Sequence, residues 1–422
     1  MSSVAGETLR ESASAYRWVV MGVWLTSSVV AFMIISTIGI LMPAISAELG
    51  LSPFQQGMLG SAAYWGNLTL AIPVGWWASR FAPKILTTVT MVLGTLCLLA
   101  QALSPGFALL ILGRVAFGIT VIARQPARAF LTQQWFPSRQ VVLLNSISNA
   151  MFGLVVGGGI AASPFIFAAL GDNWRATLLS FTALFGVFTV LWIIWGRERE
   201  TTEYRGQMSA QDVNVLKGTL RHRDLWIAGF GFVGPTAAWS AFLSFYPTLM
   251  LDSYQMPLIW SGGILAVGVL MGGVAGLGLG WVATAHDKGR TILLVNGVVI
   301  GATFAGMTFT GSLPALLALT FVNGIAFGFW PVLYSTPFHL PGVRPREIAV
   351  SLSFIQMSSS AGITIGPLIC GALQQATGDL RLSLAVVSFT SLSLCVAGLL
   401  MRDGLSSRRM SATEPAMPAT RS

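Results

Sequence analysis

Residues 107–131 read FALLILGRVAFGITVIARQPARAFL, a run with three arginines and no carboxylate. A helix rises 1.5 Å per residue and the hydrocarbon core of a bilayer is about 30 Å thick, so about 20 apolar residues suffice to cross it. The stretch therefore predicts a transmembrane helix that carries positive charge to depth.

Eleven further runs of this kind lie around it, at about 18–45, 55–79, 85–103, 141–169, 174–196, 225–250, 260–285, 291–310, 313–338, 347–375 and 381–402. Numbered in chain order they are spans 1–12, with 107–131 as span 4. They are too long, and too poor in alternation, for the strands of a membrane barrel. The expected fold is an all-α membrane protein of twelve transmembrane helices in two six-helix halves.

Composition agrees. Only 9% of the 422 residues are charged, 54% belong to the set AVILMFWYC, and the mean hydropathy is +0.73. A soluble domain carries roughly a quarter charged residues, which excludes a water-soluble globular enzyme. The net charge of +9 suggests a polyanion partner only if the basic residues cluster on one exposed face, and they do not. No nucleic-acid partner is expected. The cysteines, Cys97, Cys370 and Cys395, sit inside apolar runs and read as small buried hydrophobes. No metal-ligand spacing, nucleophile elbow or phosphate loop is present, so neither a cofactor nor an enzyme is expected.

The break between spans 6 and 7 divides the chain. The expected organisation is a cytoplasmic tail (1–17), a six-helix half (18–196), a cytoplasmic linker (197–224), a second half (225–402) and a disordered cytoplasmic tail (403–422). The polar start enters span 1 without a small-residue cleavage site, so span 1 reads as a retained helix. With the N-terminus inside, 19 of the 24 basic residues fall in inside segments and only Arg175 and Arg381 outside. Both termini are then cytoplasmic, and the surplus charge is a topology signal. The short loops suggest a bacterial inner membrane, with the lipid bilayer as solvent and the protein a monomer.

All 15 acids, and the three histidines, lie in loops, tails or span ends. The three basic residues left over are Arg114, Arg124 and Arg128, all in span 4 and about 10, 25 and 31 Å below its outer boundary. At 100° per residue they fall on one side of the helix. Pro126 lacks an N–H and leaves the carbonyl of Ile122 unpaired beside Arg124 and Gln125, which suits a water-lined cavity.

The halves repeat at a spacing of about 205–210 residues. Arg114-Val115-Ala116-Phe117-Gly118 matches Gly324-Ile325-Ala326-Phe327-Gly328, and Gly171-Asp172 matches Gly378-Asp379. On these residues the chain resembles the major facilitator superfamily of secondary transporters. Leu112-Gly113-Arg114 through Gly118 is similar to that family's span-4 arginine motif. Gly362-Ile363-Thr364-Ile365-Gly366-Pro367 with Gly371 is similar to its glycine–proline antiporter pattern, here in span 11 instead of span 5. Span 5 has a looser version in Gly153, Gly157-Gly158-Gly159 and Pro164. Gly75 through Lys84 resembles the cytoplasmic signature, with Ser79 in place of aspartate and Ala82 in place of glycine. The second copy keeps Asp287, Lys288, Gly289 and Arg290 at altered spacing.

A buried guanidinium without an acid nearby attracts anions, which it grips with paired hydrogen bonds. The expected substrate is a small anion: an organic carboxylate, an organic phosphate or an inorganic anion. It would move by alternating access, through exchange or symport, because no membrane carboxylate is available for a proton relay. Arg124 is the leading ligand. Arg114 reads equally as a structural donor to carbonyls, and Arg128 also as a residue that snorkels to headgroups. Further substrate-binding candidates are Tyr64, Trp65 and Asn67 in span 2, Asn149 in span 5 and Trp239 in span 7. Asn323, Trp330 and Tyr334 in span 10, and Gln356 in span 11, complete the set; Tyr334 is the repeat mate of Arg124. Gating or helix packing is expected of Arg80, Lys84, Pro126, Gly153, Gly157, Asp287, Arg290, Gly362, Gly366 and Pro367, since small residues four apart let helices approach closely. Two alternatives remain open at this point, an efflux transporter for neutral or amphipathic compounds and a transporter-like sensor or assembly factor that moves nothing.

Overall fold

The structure is a computed structural model that describes residues 15–78, 81–136, 138–198, 221–286, 289–339 and 345–401. Every regular element among them is helical. Eleven helices are long and apolar enough to cross a membrane. Residues 53–78 make the twelfth crossing in three end-to-end pieces, Pro53–Ser61, Ala62–Tyr64 and Trp65–Ala78.

Five crossings are interrupted. Span 1 pauses at Thr37 between Tyr16–Ser36 and Ile38–Leu49, and span 2 tightens into a 3-10 turn at Ala62–Tyr64. Span 4 breaks at Arg124 between Phe107–Ala123 and Gln125–Trp135. Span 10 runs as Leu313–Ala326, Phe327–Phe329 and Trp330–Tyr334, and span 12 contains a 3-10 turn at Phe389–Leu392. In span 4 the cause is Pro126: the Ile122 carbonyl that it orphans accepts instead from the Arg124 N–H. The seven remaining crossings are single helices, among them span 5 (Ser138–Ala169), span 7 (Arg223–Tyr254), span 8 (Leu258–His286) and span 11 (Pro345–Thr377).

The turns that join spans 1–2, 3–4, 5–6, 7–8, 9–10 and 11–12 gather at one end of the bundle, here the loop end. Several are fixed by their chemistry. Ser52 and Gln55 form a reciprocal capping box at the start of span 2. Gly171 and Gly378 close spans 5 and 11 in the left-handed region, with φ of 71° and 73°. The next helices are capped by Asn173 and Asp379, whose side chains accept from two N–H groups each. The repeat is thus one residue out of step here. Asp172 lies in the left-handed region, φ 55°, and the functional mate of Asp379 is Asn173.

Within each half the spans pack through small residues. A Cβ on Gly362 would stand 2.1 Å from the Val233 carbonyl, and one on Gly366 2.0 Å from that of Ala237, so spans 11 and 7 touch backbone to backbone. Between halves, span 1 packs on span 7, span 2 on span 11 and span 5 on span 8. The tightest of these approaches lie toward the loop end: Gly39 at the Leu243 carbonyl, Gly57 at that of Pro367, and Gly371 at that of Pro53.

Candidate functional site

The three span-4 arginines do not converge. Arg114 is 1% exposed and donates from Nε to the Leu59 carbonyl at 2.8 Å and from Nη2 to the Ile35 carbonyl at 2.7 Å. Both acceptors lie beside helix interruptions, Ile35 before Thr37 and Leu59 before the turn at Ala62–Tyr64. Arg114 therefore fastens span 4 to the broken stretches of spans 1 and 2. Of its two sequence readings, the geometry is that of the structural donor.

Arg124 occupies the break itself, as the last cap of one helix and the first of the next. It is 1% exposed, and none of its three guanidinium nitrogens has a hydrogen-bond partner among the described residues. Its guanidinium carbon lies 5.7 Å from the centre of the Phe185 ring in span 6, and Phe185 packs edge-on against Phe117. The break turns Arg124 away from Arg128, which is why a straight-helix projection puts both on one side and the structure does not.

Arg128 borders a cavity of about 130 Å³ walled by spans 1, 4 and 5. Its polar lining also includes Trp24, Ser28, Gln125 and Ser148, and its apolar lining Phe32 and Phe152, whose rings meet edge-on at 5.9 Å. Across the bundle, Tyr334 of span 10 lies within electrostatic reach of Arg128. A second, smaller cavity of about 20 Å³, room for about one water, lies between the halves. Tyr64, Trp239, Ser240 and Ser244 border it, next to the close approach of Gly60 to Ser244.

The other candidates are dispersed. Trp65 donates from its indole to Ser61 within span 2 at 2.9 Å. Asn67 donates to Ser360 across the halves, and Ser360 in turn donates to the Gln356 carbonyl. The Gln356 side chain is exposed. Asn323 is buried and donates to Thr303 at 2.7 Å, which ties span 10 to span 9. Trp330 packs edge-on against Phe232 at 4.7 Å in a run of aromatic rings through the second half. These two serve packing here and line neither cavity. The side chain of Asn149 lies outside the described residues, as do Arg80 and Asp287.

Of the gating candidates, Lys84 uses its backbone N–H, which donates to Glu198 at 3.1 Å. Arg290 is exposed at the start of span 9. Gly157 packs closely on Leu270 and Ala266 of span 8, whereas a Cβ on Gly153 would meet open space. Pro367 offers its carbonyl to Gly57 of the other half. Sequence reasoning missed Trp24 and Ser28 because both belong to an apolar run in which tryptophan and serine are unremarked. It missed Gly39 and Gly57 because neither belongs to a motif. The signal available was the spacing of Trp24, Ser28 and Phe32, four residues apart on one helix face.

A helical bundle of two six-span halves, with one cavity at their junction and another within the first half, defines a class, the alternating-access carriers. The profile of the Major Facilitator Superfamily matches residues 24–367, and the chain belongs to that family. It is 25% identical to the uncharacterized transporter YybO of Bacillus subtilis over 406 residues, which cover 87% of this chain and 91% of the relative. It is 24% identical to the hexuronate transporter of Escherichia coli K12, covering 86% and 88%. Against a probable sulfoacetate transporter, SauU of Cupriavidus necator, identity is 23% with the same coverage. Among solved structures it shares its fold with the nucleoside transporter NupG, with a TM-score of 0.71 at 13% identity over 92% of this chain and 98% of the other. A bacterial homologue of the lysosomal transporter Spinster, inward-facing and unoccupied, gives 0.70 at 14% identity over 92% and 95%.

Proposed function

We propose that the chain moves a small organic anion across a bacterial inner membrane by alternating access, with both termini in the cytoplasm. The observation that carries this is Arg128: a guanidinium on the wall of a cavity between membrane spans, with Tyr334 of the opposite half within electrostatic reach. Among the described residues every carboxylate sits at a span end or in a turn, and none borders the cavity. A guanidinium held away from bulk water needs negative charge or acceptors beside it, and an anionic solute would supply a counter-charge. Relatives named for hexuronate and sulfoacetate transport support the anion reading.

Coupling follows from the same absence. Without a buried carboxylate to carry a proton, exchange of one anion for another, or symport with a separately bound ion, fits this cavity better than a carboxylate relay. Arg124, buried one turn above Arg128, adds to the positive field without bordering the cavity.

The test is counterflow in proteoliposomes with D-glucuronate, sulfoacetate and benzoate. Truncating one partner of a desolvated charge pair costs about 2–5 kcal/mol, so Arg128→Ala is expected to raise the half-saturating concentration by roughly 30-fold or more. Uptake of amphipathic cations or neutral drugs, with no anion counterflow, would overturn the assignment in favour of an efflux carrier.

A further inference from the structure

Trp24 and Ser28 are 1% and 6% exposed, and both border the cavity that holds Arg128. Neither the indole Nε1 nor the serine Oγ has a hydrogen-bond partner among the described residues. Buried polar atoms are nearly always paired, so two orphans on one wall of one cavity call for a ligand. Their chemistry narrows it. An indole N–H only donates, a guanidinium only donates, and a hydroxyl can do so. This edge of the cavity therefore asks for acceptors.

The geometry also gives the ligand a direction. Trp24, Ser28 and Phe32 follow one another at four-residue steps along span 1, about 6 Å apart, and Ser148 and Phe152 repeat the same polar-to-apolar order in span 5. Both spans run from the end that bears the chain termini toward the loop end. The donors lie nearer the terminal end, and the edge-on pair Phe32–Phe152 forms an apolar floor beyond them.

We infer that Trp24, Ser28 and Arg128 form an oxyanion subsite for an organic anion, whose carboxylate or sulfonate head faces the terminal end and whose body lies on Phe32 and Phe152. This rests on the transport reading above and deepens it. An inorganic anion, which needs donors on all sides, would leave the aromatic floor unused. A sugar acid or an aromatic acid offers one anionic head and one apolar face, as the cavity requires.

The experiment measures binding to the purified full chain by thermal shift and calorimetry, using D-glucuronate, benzoate and sulfoacetate, with sulfate and phosphate as inorganic comparators. At least one organic anion is expected to stabilise the protein, and neither inorganic anion at equal concentration. Trp24→Phe keeps the ring and removes the N–H; Ser28→Ala is milder and guards against a folding defect at Trp24. Each is expected to weaken organic-anion binding by about tenfold or more, the effect of losing one hydrogen bond to a charged group. Wild-type affinity in both variants, with counterflow intact, would overturn the subsite while transport stood. Sulfate or phosphate binding as tightly as the organic acids would overturn the organic body. Absence of both binding and counterflow for every anion would remove the transport reading together with the subsite.

Discussion

The close approach of Gly39 to span 7 makes a quantitative prediction about which state the carrier occupies. A Cβ at position 39 would lie 1.7 Å from the Leu243 carbonyl oxygen and 2.8 Å from its carbon, whereas ordinary contact begins near 3.4 Å. The obstacle is backbone, so no rotamer change relieves it. Gly39→Ala must push span 1 from span 7 by about 1.7 Å at the loop end. Overpacking of this kind costs about 1–3 kcal/mol. The contact joins the two halves, so the cost falls on the state in which they are closed at that end and spares the state in which they are apart. The balance should move toward the loop-open state by roughly 5- to 150-fold. Nitroxide labels at the exposed residues Leu103 and Phe309, one on each half near that end, report the separation by pulsed electron resonance. The expected result is loss of the short-distance population in Gly39→Ala. Gly60→Ala, which meets the movable Ser244 hydroxyl, should shift it less. Gly22→Ala, with nothing within 4 Å, should not shift it at all. An unchanged distance distribution in Gly39→Ala, with unchanged thermal stability, would refute the seam.

Arg114→Ala should lower the melting temperature by several degrees, since two buried carbonyls lose a charged donor, each bond being worth about 1.5–3 kcal/mol; an unchanged melting temperature would show that the clamp carries no load. Arg124→Met should keep or raise the melting temperature, because a buried guanidinium without a hydrogen-bond partner is replaced by an apolar side chain of similar reach. A marked fall would mean that the charge is compensated. Exchange of internal for external anion should run at least tenfold faster than net efflux into anion-free buffer, measured with the same labelled solute; equal rates would sink the exchange reading.

The twelve crossings and their division into halves were legible because bilayer thickness imposes a length on each apolar run, whatever its partners. Pro126 likewise announced the break in span 4, since a missing N–H has one local consequence. The breaks at Thr37 and Ala62–Tyr64 were not legible, for the glycines near them, Gly39, Gly60 and Gly66, look like those inside unbroken spans; Arg114 donates to a carbonyl beside each break, a tertiary contact. The site was half legible. Charge in an apolar run singled out the three arginines, but their directions depend on the turn at Arg124, which a projection at 100° per residue ignores. Depth favoured Arg124 over Arg128, which could snorkel, and the cavity borders Arg128. The glycine seam escaped because a motif search looks within one helix, and the atoms that make Gly39 and Gly57 necessary belong to the other half.

The two halves divide the physical work unequally, and this bears on coupling. The first half holds all three membrane arginines. At the corresponding depth the second has a continuous run of rings, in which Phe242 stacks on Phe304 at 4.1 Å, Phe304 meets Phe327 at 5.9 Å, and Phe329 and Trp330 extend the run to Phe232. On the transport reading, closing the halves over an empty cavity takes positive charge from water without the anion, and desolvating a charge costs several kcal/mol. When they close over an anion, the same step buries a neutral pair. The barrier to reorientation is therefore higher for the empty carrier than for the loaded one, which is the physical requirement for exchange. On this proposal the positive charge that selects the solute also holds back the unloaded transition, so that Arg128 would supply both properties.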